Sequence, residues 1–321
     1  MSMGKKSIWA AVLIAVCALA GIFLLYQNEN EPEKKEPVQI AVSFCDTANS
    51  RTTAIWQDVL DSIQRAEMSV EWRSADADAD KQKKDVRELL EYSPEYLVVM
   101  PVQTRGLEEE LLQAEAAKTK IILLDRTIDN FKNISVLAEV RTDAVWEGEE
   151  CARLLADFFD GREGAVLEIS GEKGSSINKM HSTGFRNRLR DYENLEIAGI
   201  TEGGGDRGTA RNNVLSYFLS SPGTVNAVFA NTDEEGIGAI DALEELGLRG
   251  EVPVVSINGV KDVKNAIGAG GYLGCVEAVP YLGETLMEVI QKDQAKTRQD
   301  DENILRGTVY TAENLSQMQG Y

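Results

Sequence analysis

The feature that most constrains this chain is an alternation of short apolar runs with longer amphipathic stretches. The apolar runs are QIAVSF at 39–44, YLVVM at 96–100, IILLD at 121–125, AVLEIS at 165–170, AVFA at 227–230 and PVVSI at 253–257. Each is nearly continuous in aliphatic or β-branched residues, the pattern of a parallel strand covered on both faces. Between them, residues 85–92, 107–118, 146–159 and 233–247 carry apolar positions at helical spacing. Strand–helix alternation through two halves, each roughly the length of a small domain, predicts an α/β protein of two doubly wound parallel-sheet lobes. Ligands of such sheets sit beyond the carboxyl ends of the strands, so the loops after each strand are the places to search.

The N-terminus carries a different signal. Lys5 and Lys6 precede an uncharged apolar run over residues 8–26. Its length is close to the roughly 20 residues that a helix needs to cross a bilayer. The basic flank on its N-terminal side predicts that everything after it lies outside the cytoplasm. Three fates stay open: a retained membrane helix, lipidation at Cys17 in the lipobox-like Ile14-Ala15-Val16-Cys17, or signal cleavage after Ala18-Leu19-Ala20. All three place the body outside the membrane. Residues 27–37, charged and containing Pro32 and Pro37, read as a spacer.

Composition removes several functions. Fifty-three acidic residues against 33 basic give a formal charge of -20, the wrong sign for a nucleic-acid partner. A single histidine, His181, leaves no material for a histidine-based triad or a multi-histidine metal site. Cys17, Cys45, Cys151 and Cys275 form no CxxC pair; the last three read as small core residues, with a Cys151–Cys275 disulfide left open. These counts leave little material for catalysis or metal binding, so an enzyme, a metal and a cofactor are not expected.

Four local motifs bear on the site. Asp125-Arg126 ends an apolar run, where carboxylate and guanidinium can bind hydroxyls from two sides or simply pair with each other. Residues 203–208, GGGDRG, satisfy GxGxxG ahead of a helical stretch. That suggests a remote alternative, an NAD-linked enzyme, but a glycine turn in mid-chain is more simply a flexible turn. GEKGSS at 171–176 lacks the P-loop order and offers backbone amides and serine hydroxyls, or a helix cap. DADAD at 76–80 lacks the central glycine and terminal glutamate of a calcium loop and reads as a solvated turn.

Five ordered blocks carry a family resemblance: IILLDRTID (121–129), TDAVWEGEECARLLADFF (142–159), VLEISGEKGSSINKMHSTGFRNRL (166–189), AVFANTDEEGIGAIDALEELG (227–247) and VVSINGVKDVKNAIGAGGYLGCVEAVPYLGE (254–284). Through them the chain resembles the type I periplasmic sugar-binding proteins of ABC importers, ribose- and galactofuranose-binding ones in particular. The resemblance implies two lobes joined by a three-segment hinge and closing on one ligand. It places residues 38–142 and 279–306 in a first lobe, and residues 143–278 and 307–321 in a second, after an anchor and spacer over 1–37. It implies Asp125 and Arg126 as holders of sugar hydroxyls, Lys179 near a family arginine, Asp143 and Glu277 at the lobe crossings, and Phe44, Asn49 and Arg51 in the first loop. Thr232 stands where the family has Asn, Asn258 where it has Asp, and Gly205 where it has an aromatic ring. The implied ligand is a sugar or a related small polar solute. Arg51, Arg126 and Lys179 together suggest a basic pocket suited to an anionic one. The implied partner is an ABC permease or, alternatively, a membrane sensor such as a histidine kinase or chemoreceptor, with the protein itself a monomer. Transcription regulators share this fold, but an apolar run and an acidic spacer occupy the place of their DNA-binding module.

Overall fold

The computed structural model describes residues 35–129, 133–297 and 302–321. The apolar run at 8–26 lies outside them; among the described residues no helix is long and apolar enough to cross a membrane.

The alternation resolves into two six-stranded sheets. The chain opens with β1 (Ile40–Phe44), α1 (Ser50–Arg65), β2 (Val70–Ser74), α2 (Ala79–Leu90), β3 (Tyr96–Val99), α3 (Glu108–Ala116), β4 (Lys120–Leu124) and β5 (Val136–Thr142). It crosses to the second sheet through α4 (Ala144–Phe159), β6 (Gly164–Ser170), α5 (Ser176–Leu189), β7 (Leu195–Glu202), α6 (Arg207–Ser220), β8 (Ala227–Ala230), α7 (Asp233–Glu245), β9 (Val254–Asn258), α8 (Lys261–Gly268) and β10 (Tyr272–Glu277). It then returns with α9 (Gly283–Gln294) and β11 (Glu302–Leu305), and crosses once more to β12 (Val309–Thr311). The strand orders are β11-β5-β4-β3-β1-β2 and β12-β10-β9-β8-β6-β7. All pairings are parallel except β10 with β12.

Burial follows from position in the sheet. β1, β3, β8 and β9 are buried at every residue because helices cover both faces. β7, at an edge, mostly alternates partly buried and exposed residues and leaves Ile200 exposed. β2 (VEWRS) is half-buried throughout, and the sequence pattern passes over it because charged residues interrupt its apolar ones.

The three crossings are tied to one another. Asp143 caps α4 through the Trp146 amide at 3.2 Å and also pairs with Arg306 at 2.7 Å. The Arg306 guanidinium lies 5.3 Å from the Trp146 ring centre. Glu277, ending β10, accepts from the Thr308 amide at 3.1 Å and from the Tyr310 hydroxyl at 3.5 Å. One residue from each of the first two crossings thus holds the third.

In the second lobe α4 and α5 pack at backbone distance. A Cβ at Gly148 would overlap the carbonyl oxygen of His181, and one at Gly184 would overlap that of Val145. The next residue, Phe185, stacks on Phe229 with centroids 3.9 Å apart. Gly184→Ala is therefore expected to force the helices apart and to cost about 2 kcal/mol or more, the usual range for overpacking a tight core. A lowered urea midpoint with unchanged slope checks this.

Candidate ligand-binding cleft

Parallel strands bring their carboxyl ends, and the amino ends of the helices that follow, to one side of each sheet, and in this molecule those sides meet. The Ser50 hydroxyl, at the start of α1, donates to Glu234 at the start of α7 at 3.1 Å. The Thr104 amide donates to the Gly174 carbonyl at 3.3 Å, and the Thr127 amide to the Ser176 hydroxyl at 2.9 Å. Arg126 reaches across to Glu172 at 2.7 Å.

Asp125 stands just beyond β4 with φ 60°, and Asn258 ends β9 with φ 144°. Both conformations are unfavourable for a side chain bearing Cβ, and such strain persists only where the surroundings enforce it. β4 and β9 hold the same place in their two sheets. The two strained residues are thus counterparts, one at the seam side of each lobe.

Asp125 is 2% exposed and meets Arg51, from the first turn of α1, at 2.7 Å. They are in ion-pair contact, but the angle leaves Asp125 Oδ1 without a hydrogen-bond donor, and Arg51 Nε and Nη2 without acceptors, although all are buried. Burial opposes the charge on Arg51, yet the neighbouring Asp125, with Tyr321 and Glu147, keeps its pKa above the ordinary value. Burial pushes the Cys45 thiol up to about 12, despite the nearby Arg126, so this cysteine is inert at neutral pH.

The second lobe contributes a buried pair that the sequence analysis does not single out. Glu147 Oε2 lies 2.8 Å from His181 Nε2, and His181 Nδ1 lies 3.1 Å from the Asn231 carbonyl. Both ring nitrogens are engaged. A carbonyl can only accept, so Nδ1 carries a proton. Glu147 Oε1 is buried with no hydrogen bond, as is the hydroxyl of Tyr321.

The other predicted residues have local duties. Asn49 caps α1 through the Thr52 amide at 2.9 Å, and Thr232 forms a capping box with Glu235 on α7. Phe44 is fully buried in the first-lobe core, edge-on to Trp72 at 6.3 Å. Lys179 is exposed and, with Glu172, Ser175 and Glu202, lines a cavity of about 380 Å³ beside the seam. Glu277 faces the crossing described above. The structure thus brings Arg51, Asp125 and Arg126 together and sets Phe44, Asn49, Lys179, Thr232 and Glu277 in other roles, with Asn258 at the opposite strand end. The basic pocket expected from Arg51, Arg126 and Lys179 does not form. Arg51 is matched by Asp125, Arg126 by Glu172, and Lys179 points to solvent.

The glycine-rich turn at 203–208 is engaged from within. Glu235 Oε1 accepts from the Gly205 amide at 2.7 Å, and Asp206 caps α6 through the Thr209 amide at 2.7 Å. A carboxylate of the protein holds the amide that a phosphate would need. The DADAD turn likewise provides a cap, Asp78, for α2. Among the described residues no cluster suited to a metal ion occurs. Cys151 and Cys275 are buried free thiols: Cys151 donates to the Ser256 carbonyl at 3.4 Å and Cys275 to Asp233 Oδ1 at 3.4 Å.

Burial raises the Glu235 carboxyl from 4.5 to about 7, against the lowering effect of the Gly205 and Thr232 amides. A carboxyl that binds its proton more tightly folded than unfolded adds stability below its unfolded pKa and loses it as pH rises through its folded pKa. Between about pH 4.5 and 7 this residue therefore makes stability fall with rising pH. Glu235→Gln is expected to flatten that part of the profile relative to wild type, as read by urea unfolding at stepped pH.

A family model described as a periplasmic binding protein domain matches residues 40–294. The xylitol-binding protein of Mycolicibacterium smegmatis is 26% identical over 203 residues, which is 63% of this chain but only 57% of that protein. The galactofuranose-binding protein YtfQ of Escherichia coli is 27% identical over 217 residues, covering 66% of this chain and 68% of that protein. Among solved structures, the periplasmic binding protein component of the arabinose ABC transporter from Shewanella sp. ANA-3 superposes with a TM-score of 0.82 at 23% identity, covering 87% of this chain and 93% of that one. At that identity the likeness speaks for the fold alone.

Proposed function

Because the chain belongs to the family of periplasmic binding protein domains, we propose that it is an extracytoplasmic binding protein that captures a sugar or related polyol between its lobes and presents it to an ABC importer. The observation that carries this reading is the buried Arg51–Asp125 pair at the meeting of the lobes, with hydrogen-bonding capacity left over on both residues. Buried polar groups are almost always satisfied, so such a surplus favours a ligand with hydroxyls. The names of the relatives point to the same chemistry. A ligand touching both lobes stabilises the form in which they meet, and a membrane partner can recognise that form. The apolar run at residues 8–26 would hold the body at the outer face of the membrane. No bond-making chemistry is assigned to the cleft.

A panel of pentoses, hexoses, their furanose forms and acyclic and cyclic polyols tests the proposal by thermal unfolding. A true ligand at 100 times its Kd should add about 2.7 kcal/mol. For a chain of 321 residues that is a rise of roughly 4–5 °C in Tm. Asp125→Ala should abolish the rise. A flat response across the panel refutes the ligand class. Signalling through a kinase, with no import of the identified ligand, would reassign the partner.

A further inference from the structure

We propose that Glu147 and Tyr321 are the second lobe's contacts for the ligand, facing Arg51 and Asp125 of the first, and that together they select a neutral molecule with adjacent hydroxyls. The proposal rests on the binding reading above and specifies which groups do the binding.

Four buried atoms carry hydrogen-bonding capacity that the protein itself does not use. Arg51 Nε and Nη2 can only donate, Glu147 Oε1 can only accept, and the Tyr321 hydroxyl can do either; all four atoms are buried and make no hydrogen bond within the protein. Glu147 and Arg51 are 0% and 7% exposed. These groups come from α4, α1 and the segment after the 3-10 turn Leu315–Gln317, yet they sense one another: Glu147 and Tyr321 both act on the charge of Arg51. The backbone holds Tyr321 in place, since its carbonyl accepts from the Lys261 amide at 3.3 Å. His181 fixes the other Glu147 oxygen at 2.8 Å, which makes His181 a positioning residue.

Ligand chemistry follows by elimination. An ionised carboxylate or phosphate ester would satisfy Arg51, but Asp125 already balances that charge, and neither anion has a hydrogen to give Glu147 Oε1. An ammonium would satisfy Glu147 and leave the guanidinium donors idle. A hydroxyl both gives and accepts, so two neighbouring hydroxyls can serve Arg51, Glu147 and Tyr321 together.

The test uses isothermal titration of the full chain in detergent with xylitol, ribitol, D-ribose, L-arabinose and myo-inositol, and compares wild type with Tyr321→Phe, Tyr321→Ala and Glu147→Gln. For the tightest of the five, Tyr321→Phe and Glu147→Gln should each weaken Kd by about 10-fold, as expected for one lost hydrogen bond in a buried site. Tyr321→Ala should weaken it further. Without ligand, Tyr321→Phe should keep or raise Tm, because it removes a buried hydroxyl that has no partner in the protein. A residue with a purely structural role would lower Tm and leave Kd alone. Unchanged Kd in both Tyr321→Phe and Glu147→Gln, or tighter binding by Tyr321→Ala, overturns this inference while leaving the binding reading intact. No binding of any of the five by wild type overturns both.

Discussion

A parallel strand can be followed by another only through a crossover, and that constraint governs the rest of this molecule. Because the chain runs strand, helix, strand in one hand, every β-to-α turn falls on one side of its sheet. The two sheets repeat the same order strand for strand, differing mainly in the antiparallel β12. Two such sides placed against each other make a seam lined by strand ends and helix starts, rich in polar backbone and short of regular pairing. Asp125 and Asn258, both at positive φ, lie there, and so do the buried charges of Arg51, Asp125 and Arg126.

Sequence pattern reveals those parts of the fold whose burial is complete. β1, β3, β4, β6, β8 and β9 are visible as apolar runs because helices cover both of their faces. β2, β11 and β12 are not, since edge strands need few apolar residues: ENIL and VYT would pass for loop anywhere. The site divides in a similar way. Asp125-Arg126 is conspicuous as a charged pair closing an apolar run. Glu147 is hidden in WEGEEC, where it reads as one more acidic residue on a solvated helix face, and only the packing of α4 on α5 shows that it is buried against His181. Tyr321 has no local signal at all. The glycine turn at 203–208 misleads in the opposite direction, because pattern cannot show that Glu235 already occupies its amide.

The charge distribution separates surface from seam. A formal charge of -20 keeps the exterior acidic, while the guanidinium groups of Arg51 and Arg126 are drawn inward and each is met by a carboxylate. Buried ion pairs are poor stabilisers, since desolvation offsets most of their attraction. Arg51 is a weaker stabiliser still, with two of its three nitrogens unbonded in the protein. Apolar residues of similar volume would hold the lobes together more strongly. The place of these charged groups at the seam fits the proposed role in recognition better than a role in stability.

The same comparison bears on how tightly the lobes hold each other. Among the described residues, the polar contacts between the lobes include a serine to Glu234, two backbone amides and the Arg126–Glu172 pair, in which Glu172 is 31% exposed. Each such contact contributes on the order of 1 kcal/mol or less, because water competes for the same groups. The crossing segments, by contrast, are tied to one another through Asp143 and Glu277. Under the proposed function, tied crossings with weakly paired lips would let a few kcal/mol from a bound molecule decide whether the lobes meet. On that proposal the unsatisfied donors and acceptors of Arg51, Glu147 and Tyr321 would make closure costly until a ligand supplies their partners.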